Sequence, residues 1–220
     1  MLELKWNIDK ENGMKLIDNV KIYGLSESIK ASKYPMSVDN SNLTDEITPT
    51  VAKLFNAKQG SGHDNALKGI IVQFDITMTC KMSVELERYH FIDFVSSQST
   101  IHRITKFDLD KAYIKYVDKR VISIMKEKIA DYNEWEKHKQ IWIDDGTYER
   151  YKEIMSEKYL EILYTNPCGF QLTARMTTNY QQLKTMYFQR RSHRLTEWQE
   201  FCDWCETLPY FKELCLTPTS

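Results

Sequence analysis

Hydrophobic residues alternate with polar ones along the segment KGIIVQFDITMTCKM, which spans residues 68–82. In an extended chain, Val72, Phe74 and Ile76 point to one side, while the residues between them point to the other. This period of two is typical of a strand with one buried face. The segment therefore predicts a strand that packs on a hydrophobic core, and Asn19–Tyr23 predicts a second strand.

Longer segments show the spacing of amphipathic helices. Hydrophobic residues recur every three or four positions over residues 111–139 and 151–162, with Gly146 between the two runs. A shorter helix is predicted over Ser26–Lys33, with Ser26 as its N-terminal cap. The two long runs predict a pair of helices in the middle of the chain.

The C-terminal third predicts two more helices and completes the fold class. One runs from near Thr178 to Leu195, and the next begins at Thr196, which forms a capping-box pattern with Gln199. Only 7 glycines and 5 prolines occur in 220 residues, which disfavours a β-sandwich or barrel with many tight turns. Strands followed mostly by helices indicate an α+β fold, and the length fits a single domain over residues 1–220.

Charge and cysteine content restrict the classes of partner. The 30 Lys and Arg residues nearly balance 31 Asp and Glu residues, whereas nucleic-acid and anionic-membrane binders usually carry a basic excess. No hydrophobic run approaches the roughly 20 residues that span a bilayer. Residues 1–12 are charged and the five cysteines are an odd number, so we expect a cytoplasmic protein with free thiols and a small-molecule partner.

Cys202 and Cys205 form a CxxC motif inside the fourth predicted helix. A zinc or redox site is one interpretation, with His193 as a further candidate ligand, but three aromatic residues surround the motif and no second cysteine pair lies nearby. We therefore interpret the motif as core packing and expect no metal site. The sequence also contains no GxSxG, GxGxxG or P-loop motif, which excludes the enzyme classes that depend on them.

Three polar clusters rich in Arg and His interrupt the hydrophobic pattern. They are SGHD at residues 61–64, RYHFIDFVSSQSTIHRI at residues 88–104 and FQRRSHRL at residues 188–195. Arginine holds a phosphate or a carboxylate-like oxygen pair through two hydrogen bonds, and serine hydroxyls add neutral donors. Together the clusters predict an anion site, while for each cluster alone a surface helix with Arg–Glu pairs is the alternative.

The same segments, in this order, resemble the flavin-dependent thymidylate synthase family (ThyX). LSESIKASK is similar to the family's first helix, and SGHDNALKGIIVQFDI to its Gly-His-x-x-x-Leu segment and the strand that follows. SSQSTIHR resembles the Glu/Gln-x-Ser-x-Arg phosphate loop, and TTNYQQLKTMYFQRRSHRLTEWQEF resembles the Asn-x-Arg-x-Leu helix with its Trp-bearing extension. The resemblance spans most of the chain and implies a ThyX-like fold, with a small mixed or antiparallel sheet and several long helices.

The resemblance also implies roles for individual residues. The implied dUMP-binding residues are Ser97, Gln98, Ser99, Arg103 and Arg190. Arg190 is in addition the implied catalytic residue, because it would hold and activate the pyrimidine. The implied FAD-binding residues are His63, Arg88, His90 and Asn179.

This sequence departs from the family pattern in three places. The family's Arg-His-Arg triplet is Arg-Tyr-His at residues 88–90, and the Arg that follows the motif Asn by two residues is Gln181. The phosphate loop carries an insertion between Ser99 and Arg103. The nucleotide side is therefore better retained than the flavin side.

The implied reaction is the reductive methylation of dUMP to dTMP by a homotetramer, with FAD as cofactor and NADPH and methylenetetrahydrofolate as co-substrates. An Arg held against the pyrimidine carbonyls stabilises the negative charge that develops as C5 becomes nucleophilic. Two alternatives stay open. One is a related flavin enzyme that makes another C5-modified pyrimidine nucleotide, and the other is a nucleotide-binding homologue that has lost flavin.

Overall fold

The computed structural model describes residues 2–4, 15–58 and 60–217. Its strands are β1 (Leu2–Leu4), β2 (Ile17–Tyr23), β3 (Ile71–Thr79), β4 (Asp93–Ser97) and β5 (Gln171–Asn179). Its α-helices are α1 (Leu25–Ala31), α2 (Pro49–Phe55), α3 (Cys80–Leu86), α4 (Thr100–Arg103), α5 (Lys119–Lys137), α6 (Lys139–Asp144), α7 (Tyr148–Thr165), α8 (Tyr180–Arg190) and α9 (Thr196–Cys205). The strands form one sheet in the order β1-β2-β3-β5-β4, in which β2 is antiparallel to both β1 and β3. The predicted α+β class is confirmed.

The chain divides into two compact units. The first comprises residues 1–78, 82–96 and 173–220, and the second comprises residues 79–81 and 97–172. The expectation that residues 1–220 form a single domain stays a prediction.

The core of the first unit forms between the sheet and the C-terminal helices. Val72, Phe74 and Ile76 are completely buried, as the alternating pattern of β3 predicted. The ring of Phe74 lies 4.7 Å from the ring of Trp204 in α9, measured between centroids. Burial of these large side chains is the main stabilising contribution in this unit, because each removes a large apolar area from water.

The second unit contains the two long helices that the sequence predicted, with a correction to the first. Helix α5 begins at Lys119 and not at Lys111, because Asp118 caps it by accepting a hydrogen bond from the Arg120 amide at 2.8 Å. Val117 precedes this cap and packs against Gly169, where an added Cβ would lie 2.3 Å from Val117 Cγ2. The hydrophobic spacing before Lys119 therefore reflects a tertiary contact and not a helix.

The C-terminal helices also differ from their predicted bounds. Strand β5 was not predicted, and α8 begins only at Tyr180, because Asn179 caps it by accepting from the Gln182 amide at 2.9 Å. The capping box predicted at Thr196 is wrong, since the N-cap of α9 is Leu195 and makes no side-chain cap bond.

The short helix α1 is confirmed, but its predicted serine cap is wrong. Gly24 is the N-cap residue, with a left-handed φ of 72°. A Cβ at this position would lie 2.4 Å from the carbonyl oxygen of Gly69, so only glycine fits the contact. The hydroxyl of Ser26 instead donates to Asp45 Oδ2 at 2.6 Å.

Candidate functional site

A cleft of about 600 Å³ lies in the first unit at the N-terminal end of α8. One wall is the loop from Gly60 to Asn65, and the other is the start of α8 from Asn179 to Thr185. Lys68 and Phe91 complete the lining. The volume falls within the usual range of small-molecule sites, roughly 300–1,000 Å³.

The cleft offers positive charge and hydrogen-bond donors to a ligand. Helix α8 is 11 residues long, and the aligned dipoles of its peptide groups place partial positive charge at the end that lines the cleft. Lys68 adds an exposed ammonium group, and Gln181 and Gln182 add side-chain amides. This combination favours an anionic group with polar neighbours, such as the phosphate of a nucleotide.

Phe91 gives the cleft an exposed aromatic surface. Its backbone has a φ of 62°, a left-handed conformation that is rare for a bulky residue. The side chain is 70% exposed, and the carbonyl oxygen of Phe91 accepts a hydrogen bond from Thr178 Oγ1 at 2.7 Å. Strained residues held in this way are concentrated at ligand sites. The ring is therefore placed where a planar ligand can stack on it.

A buried ion pair joins the loop wall of the cleft to α8. Lys184 Nζ lies 3.2 Å from Asp64 Oδ2, and the two side chains are 6% and 1% exposed. Gln181 Nε2 donates to the other oxygen of Asp64 at 3.1 Å. Both carboxylate oxygens are thus paired, as a buried charge requires.

A second polar cluster surrounds Arg190 at the opposite end of α8. The guanidinium donates from Nε to Tyr89 Oη at 2.6 Å and from Nη1 to Glu85 Oε2 at 3.1 Å. It also lies over the rings of Tyr89 and Trp198, 5.3 and 4.9 Å from their centroids. The same Glu85 oxygen accepts from Trp198 Nε1 at 3.2 Å and lies 3.2 Å from His193 Nε2. Arg190 is therefore held rigidly among aromatic and acidic partners.

The two other arginines of this segment, Arg191 and Arg194, follow the last residue of α8. Helix α8 ends at Arg190, so Arg190 and Arg194 do not share a helical face. Arg191 forms ion pairs with Asp203 and with Glu206. The alternative of a surface ion pair thus holds for Arg191, whose partners lie in α9 and at its end.

The predicted FAD-binding residues lie in the first unit. Asn179 lines the cleft and caps α8. His63 is exposed and stands between two residues of the loop that lines the cleft. Arg88 and His90 are both exposed and precede Phe91 in the chain. Helix α8 is about 16 Å long at 1.5 Å per residue. Asn179 and Arg190 lie at its two ends, so a ligand that contacts both must do so with opposite ends.

The predicted phosphate-binding residues all belong to the second unit, which includes Ser97, the last residue of β4. Ser97, Gln98 and Arg103 are exposed, while Ser99 is half-buried and is the N-cap residue of α4. Burial raises the pKa of Tyr159, and the positive charge of Arg103 opposes that shift, which places Arg103 near Tyr159. The roles of these residues toward dUMP stay predictions.

Sequence reasoning did not identify Phe91, Lys184 or Glu85 as site residues. Phe91 stands next to the predicted polar triplet, but its left-handed backbone has no sequence signal, since glycine and asparagine are the residues that indicate one. A lysine in an amphipathic helix usually lies at the surface, so the burial of Lys184 has no local signal either. Glu85 lies only three residues before the predicted polar cluster at residues 88–104, but outside it.

Two crystal structures share this fold. One is the flavin-dependent thymidylate synthase ThyX from Helicobacter pylori complexed with FAD and dUMP, with a TM-score of 0.60 and 13% identity over 91% of this chain and 100% of that one. The other is Thymidylate Synthase X from Helicobacter pylori with FAD and dUMP, with a TM-score of 0.60 and 12% identity over 90% of this chain and 96% of that one. No family model and no curated protein sequence matches the chain. At such low identity the likeness shows the fold alone, which is that of the ThyX structures.

The described residues contain neither a candidate metal site nor a candidate membrane-spanning helix. No group of three or more His, Cys, Asp and Glu side chains in this part of the chain could hold a metal ion. Among the helices formed by the described residues, none is long and apolar enough to cross a membrane.

Proposed function

We propose that the protein is a flavin-dependent nucleotide-modifying enzyme that binds FAD in the cleft at the start of α8. The observation that carries this proposal is the exposed ring of Phe91, held in a strained conformation beside a helix N-terminus and Lys68. Such a cleft suits a ligand that combines a planar ring with phosphate. The ThyX fold adds support, because the two similar structures contain FAD and dUMP.

The residues of the cleft fit a flavin nucleotide. Phe91 would stack on one of its rings, and Lys68 with the first turn of α8 would hold its phosphates. The side-chain amides of Asn179 and Gln181 would bond polar ring atoms. When bound, the flavin supplies hydride transfer, while the protein contributes binding, orientation and electrostatics. His63, Arg88 and His90 are the further FAD contacts that the family resemblance suggests.

Arg190 would bind the pyrimidine of dUMP and stabilise negative charge on it during the reaction. Its partners Tyr89 and Glu85 fix the plane of the guanidinium, so the orientation is set before substrate binds. Ser97, Gln98, Ser99 and Arg103 would hold the phosphate of dUMP. The full proposed reaction converts dUMP to dTMP, with methylenetetrahydrofolate giving the carbon and NADPH reducing the flavin.

Release of tritium from 5-tritiated dUMP tests this reaction when FAD, NADPH and methylenetetrahydrofolate are present. We expect release by the wild type, and a loss of about 100-fold or more in turnover for Arg190→Lys, since a point charge does not reproduce the planar fork. Arg191→Lys is the matched control, because Arg191 forms ion pairs with acidic residues of α9 and its end. Equal losses in both variants would contradict the role of Arg190.

A specific observation favours a second candidate, a nucleotide-binding protein without catalysis. Two of the three guanidinium nitrogens of Arg190 already bond to Tyr89 and Glu85, which leaves fewer donors for a pyrimidine. Binding of dUMP without tritium release or FAD binding would support this candidate. Bound FAD without tritium release would instead support a flavin enzyme that makes another C5-modified pyrimidine nucleotide.

A further inference from the structure

One buried ammonium group holds both ends of the loop that forms the wall of the cleft. Lys184 Nζ donates to the carbonyl oxygens of Phe55 and Ala57, at 2.8 and 3.2 Å, and lies 3.2 Å from Asp64 Oδ2. These three contacts use all three N–H groups of the ammonium. Lys184 therefore ties the end of α2, which precedes the loop, to Asp64 near the other end of the loop.

The partners of Lys184 suit a positive charge. Phe55 is the last residue of α2 and Ala57 follows it closely, and carbonyl groups at a helix C-terminus lack partners within the helix and carry partial negative charge. Asp64 supplies a full negative charge and is itself buried. The ammonium thus satisfies three acceptors that would otherwise be costly to bury.

Gln181 completes the attachment of the loop to α8. It lies three residues before Lys184, so the two side chains project from the same face of the helix. Gln181 bonds to one oxygen of Asp64 and Lys184 bonds to the other. Two side chains of α8 therefore hold Asp64 in one orientation relative to the helix that forms the opposite wall of the cleft.

The loop needs such an anchor because it contains two glycines in left-handed conformations. Gly60 has a φ of 83° and Gly62 has a φ of 79°. Glycine gives the free chain many accessible conformations, so ordering this loop at the moment of ligand binding would cost conformational entropy. An anchor at both ends orders the loop when the protein folds. Less conformational entropy is then lost when the ligand binds.

We infer that Lys184 is a positioning residue for the ligand of the cleft, acting through Asp64 and the loop from Gly60 to Asn65. This inference rests on the proposed binding of FAD. It assigns Lys184 no contact with the ligand, because Lys184 is not among the residues that line the cleft.

The decisive variant is the double substitution Lys184→Met with Asp64→Asn. Lys184→Met alone leaves the Asp64 charge buried without its cation, which destabilises the fold strongly and confuses the result. The double variant removes both charges, keeps the side-chain volumes similar and leaves Gln181 an acceptor. The matched control is Arg175→Met with Asp75→Asn, which likewise removes both charges of an ion pair. Arg175 also joins a carboxylate, Asp75 at 3.1 Å, to a backbone carbonyl, Asn19 at 2.7 Å, in the same unit, but does not line the cleft.

Two measurements are made on the wild type, the double variant and the control. FAD titration gives the dissociation constant and the absorption spectrum of the saturated complex, and hydrogen exchange gives the protection of the 60–65 amides. We expect the double variant to bind FAD about tenfold more weakly or worse, with a changed spectrum and faster exchange in the loop. The control should match the wild type in both measurements.

Each remaining result has a definite meaning. Wild-type FAD affinity in the Lys184→Met, Asp64→Asn variant would overturn the inference, and so would an equal loss in the control. If the wild type binds no FAD, the proposed function fails, and exchange alone decides the anchoring role. Faster loop exchange in the double variant would then support it, and unchanged exchange would overturn it.

Discussion

At the scale of single residues, a substitution of Phe91 should weaken ligand binding without lowering the stability of the fold. Glycine at this position relieves the left-handed backbone penalty of about 1–2 kcal/mol, which offsets the roughly 0.4–1 kcal/mol that a glycine costs through the unfolded chain. The lost ring packs little, since it is 70% exposed. We therefore expect Phe91→Gly to keep the wild-type melting temperature while weakening FAD binding by about 5- to 100-fold, the usual worth of a stacking contact.

Calorimetry and FAD titration of Phe91→Gly measure the two quantities separately. Phe91→Tyr is the control, because it keeps an aromatic face and should bind FAD as the wild type does. Wild-type FAD affinity in Phe91→Gly would show that the ring does not stack on the ligand.

Arg103 tests the predicted phosphate site. Arg103 is exposed, so Arg103→Ala should leave the fold intact. We expect this variant to bind dUMP about 10- to 100-fold more weakly while uridine, which lacks the phosphate, binds unchanged, because only a charge-assisted hydrogen bond is lost. Isothermal titration with both ligands measures the difference. The same loss of affinity for uridine would show that Arg103 does not act through the phosphate.

The residue scale shows what local sequence can and cannot predict. Burial of Val72, Phe74 and Ile76 was predictable because a period of two is a local property. The partners of Arg190 were not, because Glu85 and Tyr89 lie about 100 positions away in the chain and meet it only in the fold. Lys184 was missed for the same reason, since its three partners come from α2 and the loop after it.

At the scale of elements, α9 makes a prediction about its cysteines. Burial raises the pKa of Cys202 to about 11 and holds that of Cys205 well above its ordinary value. A raised pKa keeps the thiol protonated at pH 8, and only the thiolate is a good nucleophile. We expect iodoacetamide to modify the exposed Cys168 in the native protein while Cys202 and Cys205 react only after unfolding in urea.

Mass spectrometry after timed labelling locates the modified cysteines. Raising the pH from about 7 to 9 should leave Cys202 protected, because that range stays below its raised pKa. Labelling of native Cys202 at the rate of Cys168 would contradict the packing interpretation of the CxxC motif.

Strand β5 shows why one element escaped prediction. Its buried positions alternate, but they are Ala174, Met176 and Thr178, which include a small and a polar residue. The alternation of buried and half-buried residues is therefore present in the structure, but the hydrophobicity pattern of the sequence hardly shows it. Strand β3 has Val, Phe and Ile at the equivalent alternation, so the same geometry was easy to recognise there.

At the scale of the whole molecule, the homotetramer that the family resemblance implies stays a prediction, and β4 is one surface where chains could meet. This strand ends the sheet, and all five of its residues are exposed, among them Phe94 and Val95. An edge strand with exposed apolar side chains is usually covered by a partner. Light scattering after size exclusion should give about four times the chain mass of 26.1 kDa, and a mass equal to one chain would contradict the prediction.

The central claim is that the cleft at the start of α8 binds flavin, and equilibrium titration of the purified protein with FAD tests it most directly. Flavin fluorescence and absorbance should both change and saturate at one FAD per chain, because stacking on Phe91 and enclosure in the cleft alter the surroundings of the ring. The account predicts saturable binding that the Phe91→Gly substitution weakens. A wild-type protein that leaves FAD fluorescence and absorbance unchanged at every concentration would contradict it.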